Sequence, residues 1–204
     1  MNPYNVAMLI LASASPRRQE LLRSARIAFD VQPAQITEDP LPREDAKACA
    51  ERLAREKALA VACQRPHDIV LGADTVVVVD GQLLGKPSNA ADAARMLSTL
   101  SGREHQVITG VCLVANGQCS VGSETTSVTM SQISEKEITD YIASGEPMDK
   151  AGAYAIQGIA SRWIPRIEGD YSNVVGLPVA LVFRMLREVS GQRSAVSSQK
   201  TRGF

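Results

Sequence analysis

The residues Ile69-Val70-Leu71-Gly72-Ala73-Asp74-Thr75-Val76-Val77-Val78-Val79 form the stretch of this chain most committed to β structure, and one carboxylate interrupts it. A β-branched run without polar alternation suits a central strand covered on both faces, so the rest of the chain has to supply layers on either side. Asp74 is costly there unless it is paired, bound to a metal or placed at an exposed strand end. It is therefore either a functional acid or a cap on a neighbouring loop. Asp80-Gly81 is a preferred pair for a two-residue hairpin turn and sets Val79 opposite Gln82. Continued inward, this register brings Thr75 opposite Lys86 and the lysine next to Asp74, although Gly85 and Pro87 are placed to end the pairing earlier.

A second constellation lies in Leu11-Ala12-Ser13-Ala14-Ser15-Pro16-Arg17-Arg18-Gln19-Glu20-Leu21-Leu22. The apolar strand Met8–Ala12 runs through two small hydroxyl residues into a helix, Pro16–Ala25, with Ser15 as its cap and Pro16 at its first position. Backbone N–H groups between Ala14 and Arg18, with the two arginines, would converge on one anion. The alternative is an ordinary strand-to-helix junction with solvated arginines.

Further elements follow from periodicity. A short strand is expected at Ala28–Gln32 and an amphipathic helix at Asp45–Cys63, whose apolar stripe includes Lys57. That lysine either snorkels to the surface or aims its ammonium into a cleft. Ser88–Leu100 is a helix, and Glu104–Ala115 and Gln118–Gln132 flank the turn Asn116-Gly117 as a hairpin. Ser134 and Glu137 form a capping box for a helix ending at Ser144-Gly145. Glu146–Gly158 reads as a loop with a short strand, Arg162–Glu168 as a strand, and Gly169–Asn173 as a loop. Pro178 opens the last helix, Val179–Val189. Gln157 stands between apolar residues and Gly158, a glycine that would let a flat ligand approach; a hydrogen-bonded structural amide is the other reading.

At 204 residues with 45% hydrophobic content, residues 1–189 suit one domain, or one domain with a lobe, followed by a mobile polar tail at 190–204. Lys and Arg total 22 and so do Asp and Glu, which argues against nucleic-acid or membrane binding through bulk charge. The four cysteines form no C-x-x-C pair, and the apolar residues Met8–Ala12 are too few for a signal peptide or membrane span; a cytoplasmic location is expected. The sequence has no nucleophile elbow, Walker lysine or G-x-G-x-x-G, so acyl transfer, P-loop hydrolysis and Rossmann hydride chemistry lack support. His67 and His105 are read as non-catalytic.

Six segments, 11–22, Arg52-Leu53-Ala54-Arg55-Glu56-Lys57-Ala58, Leu71–Val77, Gly85-Lys86-Pro87, 149–158 and Asn173–Pro178, together resemble the Maf family of nucleoside triphosphate pyrophosphatases. The resemblance implies a mixed twisted α/β sheet flanked by helices, with two lobes around a central cleft, related to the inosine triphosphate pyrophosphatase fold. It implies hydrolysis of nucleoside triphosphates to monophosphate and pyrophosphate, in a house-cleaning role, with Mg²⁺ or Mn²⁺ and commonly a homodimer. The dTTP/UTP branch is the most similar: its selectivity positions correspond to Arg17, Thr75 and Gln157, and branches acting on 7-methyl-GTP differ at the last two. The family's base corresponds to Asp74, and its other cleft residues to Ser13, Arg18, Glu38, Lys57 and Lys86, with Ser15 in the phosphate turn. Glu38 and Asp74 would hold the metal, and Asp74 would accept a proton from water or hold that water through the metal. A non-catalytic nucleotide-binding regulator of cell division or septum formation is the alternative.

Overall fold

The computed structural model describes residues 8–39 and 41–200, with side chains described up to Val189. Seven strands form one mixed sheet in the order β2-β1-β3-β5-β6-β7, and β4 pairs with β3 outside this path. The strands are β1 (Leu9–Leu11), β2 (Asp30–Val31), β3 (Ile69–Val79), β4 (Gln82–Leu84), β5 (Glu104–Ala115), β6 (Gln118–Thr129) and β7 (Arg166–Glu168). The helices are α1 (Pro16–Ser24), α2 (Ala46–Ala62), α3 (Ala90–Leu100), α4 (Glu135–Ala143), α5 (Tyr171–Val175) and α6 (Val179–Lys200).

β3 is the spine, as its composition requires. One edge pairs with β5 from Val70 to Val78. The opposite edge is shared: β1 runs parallel to it at Ile69–Leu71, and β4 runs antiparallel at Val77–Val79. Between these partners, among the described residues, no strand covers that edge, and the uncovered stretch contains Asp74 and Thr75. Both hairpin turns take the primed geometry, with Asp80 and Gly81 at φ 48° and 76° and Asn116 and Gly117 at φ 52° and 76°. The β3–β4 pairing stops at Val77 opposite Leu84, so Thr75 and Lys86 are not paired.

The break in the edge coincides with a change of core. On one face of the first lobe, Leu71, Ala73, Val111 and Leu113 pack with Leu22 of α1 and Leu181 and Val182 of α6. On the other face, Val70, Cys112 and Val114 pack against Ala54, Ala58 and Val61 of α2. Beyond Thr75 the second lobe begins, where Val77, Val79, Val107 and Val128 meet Met96, Leu97 and Leu100 of α3 and Ile138 and Tyr141 of α4. Gly72 and Gly110 let α2 lie directly on the sheet: a Cβ at either would overlap the carbonyl oxygen of Ala54 or Ala50. This close approach carries Lys57 to the level of Asp74.

Several expected boundaries differ. The expected strand at 162–168 shortens to Arg166–Glu168 because Ile159–Trp163 winds into a 3₁₀ turn. That turn buries Trp163 edge-on against Tyr141, with ring centroids 5.3 Å apart, and lets its indole N–H donate to Glu137. The segment 146–158 holds two 3₁₀ turns, Glu146–Asp149 and Ala151–Ala153, in place of a strand. The loop expected at 169–173 is largely α5, because Asp170 accepts from the N–H groups of Ser172 and Asn173 and caps it. The last helix continues past Val189 to Lys200: Gly191 alone does not stop it, and no proline follows. Residues 201–204 of the expected tail lie outside the described residues. Among those described, no helix is long and apolar enough to cross a membrane.

Candidate active site

A cavity of about 610 Å³ opens at the uncovered edge of β3, lined by the β1–α1 turn, α2, β3, the segment after β4, and the 149–157 region. Asp74, 7% exposed, points to the α2 side, where Lys57 Nζ donates to its Oδ1 at 2.6 Å. The same ammonium lies 2.8 Å from Glu38 Oε1, and Lys86 Nζ lies 3.5 Å from Glu38 Oε2. Lys57 therefore turns inward, and its stem is buried in the α2 stripe. Burial raises the Glu38 carboxyl, but the hydrogen bond and charge of Lys57, with help from Lys86, outweigh it and hold Glu38 below the usual carboxylate range. Only Lys57 donates to Asp74 among the described residues.

On the opposite face of β3, Thr75 meets Arg18. The buried guanidinium donates through Nε to the carbonyl of Gly176 at 2.8 Å, through Nη1 to Ser13 Oγ at 3.1 Å, and through Nη2 to Thr75 Oγ1 at 3.2 Å. Burial lowers Arg18 from its ordinary value, and Asp74 and Glu38 oppose that shift. Thr75 Oγ1 also lies 2.9 Å from Thr109 Oγ1, and Thr109 donates to the carbonyl of Asn173 at 3.1 Å. Asn173 is fully buried, and its amide donates to Val107 O at 2.9 Å and to Thr126 Oγ1 at 3.0 Å. Two adjacent β3 residues thus face different layers: Asp74 joins the carboxylate–lysine cluster and Thr75 joins a hydrogen-bond chain that runs from Arg18 through Thr109 to Asn173.

The β1–α1 turn forms as its sequence implies, with changes in detail. Ser15 Oγ accepts from the Arg18 N–H and caps α1, while the Ser15 N–H donates to Ser13 Oγ at 3.2 Å. Pro16 has no N–H. Of the backbone donors expected to converge here, those of Ala14 and Arg17 remain for an anion, and Ser15 contributes to the cap and the cavity wall rather than through its own N–H. Arg17 reaches across the cavity mouth, where its Nη1 lies 3.0 Å from Asp149 Oδ2. Burial raises Asp149, but hydrogen bonds from Lys150 and Arg17 prevail and hold it below its ordinary value.

Gln157 occupies the corner of a turn on the cavity wall, with its side chain exposed. The space beside Gly158 is taken by the protein itself, since a Cβ there would overlap the carboxylate of Glu146, so this glycine admits a side chain rather than a flat ligand. His105 lies under the site, buried, its Nε2 2.8 Å from the hydroxyl of Tyr154, and burial brings its pKa down to about 4. It is neutral and not part of the cavity wall, and all four cysteines are free thiols.

Every site residue expected from the sequence therefore borders this one cavity. Sequence reasoning did not assign Asp149, Thr109, Asn173 or Glu146. Asp149 and Asn173 lie inside quoted segments, but their chemistry depends on contacts more than 60 residues away in sequence, as in the Thr109–Asn173 and Arg17–Asp149 bonds.

Five cations (Arg17, Arg18, Lys57, Lys86, Lys150) face three carboxylates (Glu38, Asp74, Asp149) around the cavity. Fold and site together define a mixed α/β protein whose central cleft is lined by both cations and carboxylates. Residues 8–189 match the model of the Maf-like protein family, and the chain belongs to that family. It is 60% identical over 185 residues to a protein of Koribacter versatilis named dTTP/UTP pyrophosphatase, covering 90% of this chain and 96% of that one. A protein of the same name from Symbiobacterium thermophilum is 52% identical over 180 residues, covering 88% and 93%. A solved structure, that of the Staphylococcus aureus Ham1 protein, matches with a TM-score of 0.45 and 15% identity over 60% of this chain and 71% of the other.

Proposed function

We propose that this protein hydrolyses nucleoside triphosphates of the dTTP and UTP class to the monophosphate and pyrophosphate. The observation that carries the reading is the buried Asp74, held at 2.6 Å by Lys57 in a cavity that also presents Arg18, Ser13 and Lys86. The names of the relatives point the same way. In the reaction, a water oxygen bonds to the α-phosphorus, the bond from that phosphorus to the bridging oxygen breaks, and pyrophosphate leaves with the electron pair. Asp74 Oδ2 takes the water's proton or holds the water in line through its charge. Lys57, Lys86 and Arg18 offset the charge that grows on the leaving group, and Lys57 and Arg18 do so with little reorganisation because both are buried and already hydrogen-bonded.

Glu38 and Asp74 would hold a divalent cation. Both carboxylates touch one ammonium, so they converge, and Mg²⁺ is commonly bound by one or two carboxylates with phosphate oxygens completing its shell. When bound, Mg²⁺ or Mn²⁺ would supply charge neutralisation on the phosphates. Gln157 and Thr75, with Arg17 at the mouth, would read the base and sugar.

The test is direct. Purified protein mixed with UTP or dTTP and Mg²⁺ or Mn²⁺ is expected to release UMP or dTMP with pyrophosphate, and Asp74→Asn to lower turnover by about 10² or more while remaining folded. Near-normal turnover in that variant would remove Asp74 from the mechanism. Nucleotide binding without cleavage would replace hydrolysis with a regulatory role.

A further inference from the structure

Gln157 sits in a short turn that leads through Gly158 into the 3₁₀ turn Ile159–Trp163. The turn closes on itself through one bond, from the Gly158 N–H to the carbonyl of Ala155 at 3.1 Å. The Gly158 carbonyl accepts from the Ser161 N–H at 3.1 Å, and side chains of two residues outside the turn hold its two ends. The Tyr141 hydroxyl at the end of α4 accepts from the Ala155 N–H at 3.3 Å and donates to Glu146 Oε1 at 2.9 Å. The Glu146 carboxylate accepts from the Ile159 N–H at 3.0 Å and 3.2 Å through its two oxygens. One hydroxyl–carboxylate pair therefore holds the backbone two residues before and two residues after Gln157.

Both anchors are themselves fixed. Tyr141 is 1% exposed and packs edge-on against Trp163. Burial, followed by the Glu146 hydrogen bond, raises its hydroxyl above the ordinary tyrosine value, so it stays a donor. The Glu146 N–H donates to Ser144 Oγ at 3.2 Å, and its carbonyl accepts from Lys150 Nζ. The fit against Gly158 leaves no room for a methyl group between turn and carboxylate. The 3₁₀ turn Glu146–Asp149 also carries Asp149, which holds Arg17. A single short segment of the second lobe thus grips two of the three selectivity positions, and neither anchor contacts Asp74 or Lys57.

We propose that Glu146 and Tyr141 are positioning residues for base selectivity: they fix the turn that presents Gln157, and the hydrolytic cluster does not depend on them. This inference rests on Gln157 reading the base as proposed above. The experiment measures kcat and KM for UTP, dTTP, CTP and GTP in the wild type, Glu146→Gln, Glu146→Ala, Tyr141→Phe, Gln157→Ala and the double variant Gln157→Ala/Glu146→Ala. In Glu146→Ala the preference for UTP over CTP should fall about tenfold, as expected when a hydrogen-bonding reader loses its alignment. The change should appear in KM, with kcat for UTP kept within about threefold. Tyr141→Phe should lower the preference about threefold, and Glu146→Gln, which keeps one acceptor oxygen and the shape, should retain more of it than Glu146→Ala. The double variant should be no less selective than Gln157→Ala, because both changes act on one contact.

If Gln157→Ala erodes the preference and Glu146→Ala does not, the positioning role is overturned while base reading stands. If Gln157→Ala leaves the preference intact, base reading itself fails. An equal loss on every nucleotide, carried by kcat, would also overturn the proposal by showing a general structural role. Tyr141→Phe deletes one oxygen and decides the matter should Glu146→Ala not fold: an unchanged preference then counts against the proposal.

Discussion

The pairing of Asp74 with Lys57 can be weighed by removing the lysine charge. Lys57→Met keeps the length of the stem and its packing in the α2 stripe but deletes the only donor to Asp74 among the described residues, in surroundings where both groups are less than 10% exposed. At 2.6 Å the attraction comes to about 6 kcal/mol for an effective dielectric constant of about 20. Part of this is returned because the ammonium no longer has to be desolvated. Removing one partner of a buried pair therefore costs a net of about 3–5 kcal/mol. Glu38 is 42% exposed and its contact with Lys57 is screened, so Glu38→Gln should cost less than about 1 kcal/mol. The assay is urea unfolding at pH 7 across the cycle of Lys57→Met, Asp74→Asn and the double variant. The double variant should recover at least half of the Lys57→Met loss, since no carboxylate is then left buried without a counter-charge. A loss below about 1 kcal/mol in Lys57→Met, or a double variant no more stable than the single, would refute the claim that the lysine holds the acid in place.

Two further outcomes are expected. His105 has its pKa brought down to about 4 by burial, so between about 6.5 and 4 the unfolded chain binds a proton that the folded one does not. Stability should fall as pH drops through that window, by up to about 3 kcal/mol at pH 4, and His105→Gln should flatten the slope of urea midpoint against pH; an unchanged slope would assign it to other groups. Gly110→Ala places a methyl group against the Ala50 carbonyl and should cost about 1–3 kcal/mol. It should also lower UMP release by lifting α2, and with it Lys57, off the sheet; full activity at wild-type stability would show that the contact is loose.

The sequence is most informative where short-range chemistry decides structure. The Ile69–Val79 strand, both primed turns, the Ser134 capping box and the Ser15 cap all rest on residues a few positions apart, and each stands where it is expected. Periodicity alone leaves Lys57 undecided, because its burial depends on glycines in β3 and β5 that admit α2. The hairpin register is sound, but the pairing is shorter than that register allows, since Gly85 leads the chain away after Leu84. The region after Ser144 is the least legible. Its form follows from single long-range bonds, such as Ala155 to the Tyr141 hydroxyl and Trp163 to Glu137, which leave no periodic trace. Gly158 differs from expectation for the same reason: it makes room for a side chain of its own chain.

The interrupted edge of β3 has a bearing on how such a molecule tolerates change. Asp74 draws its partners from α2 and the first lobe, while one residue that would discriminate among substrates, Gln157, hangs with its anchor Glu146 from loops of the second lobe. Sequence drift in those loops can retune what the cleft accepts without touching the reactive cluster. A one-residue insertion in the spine would exchange the faces of Asp74 and Thr75, and both capacities would be lost together.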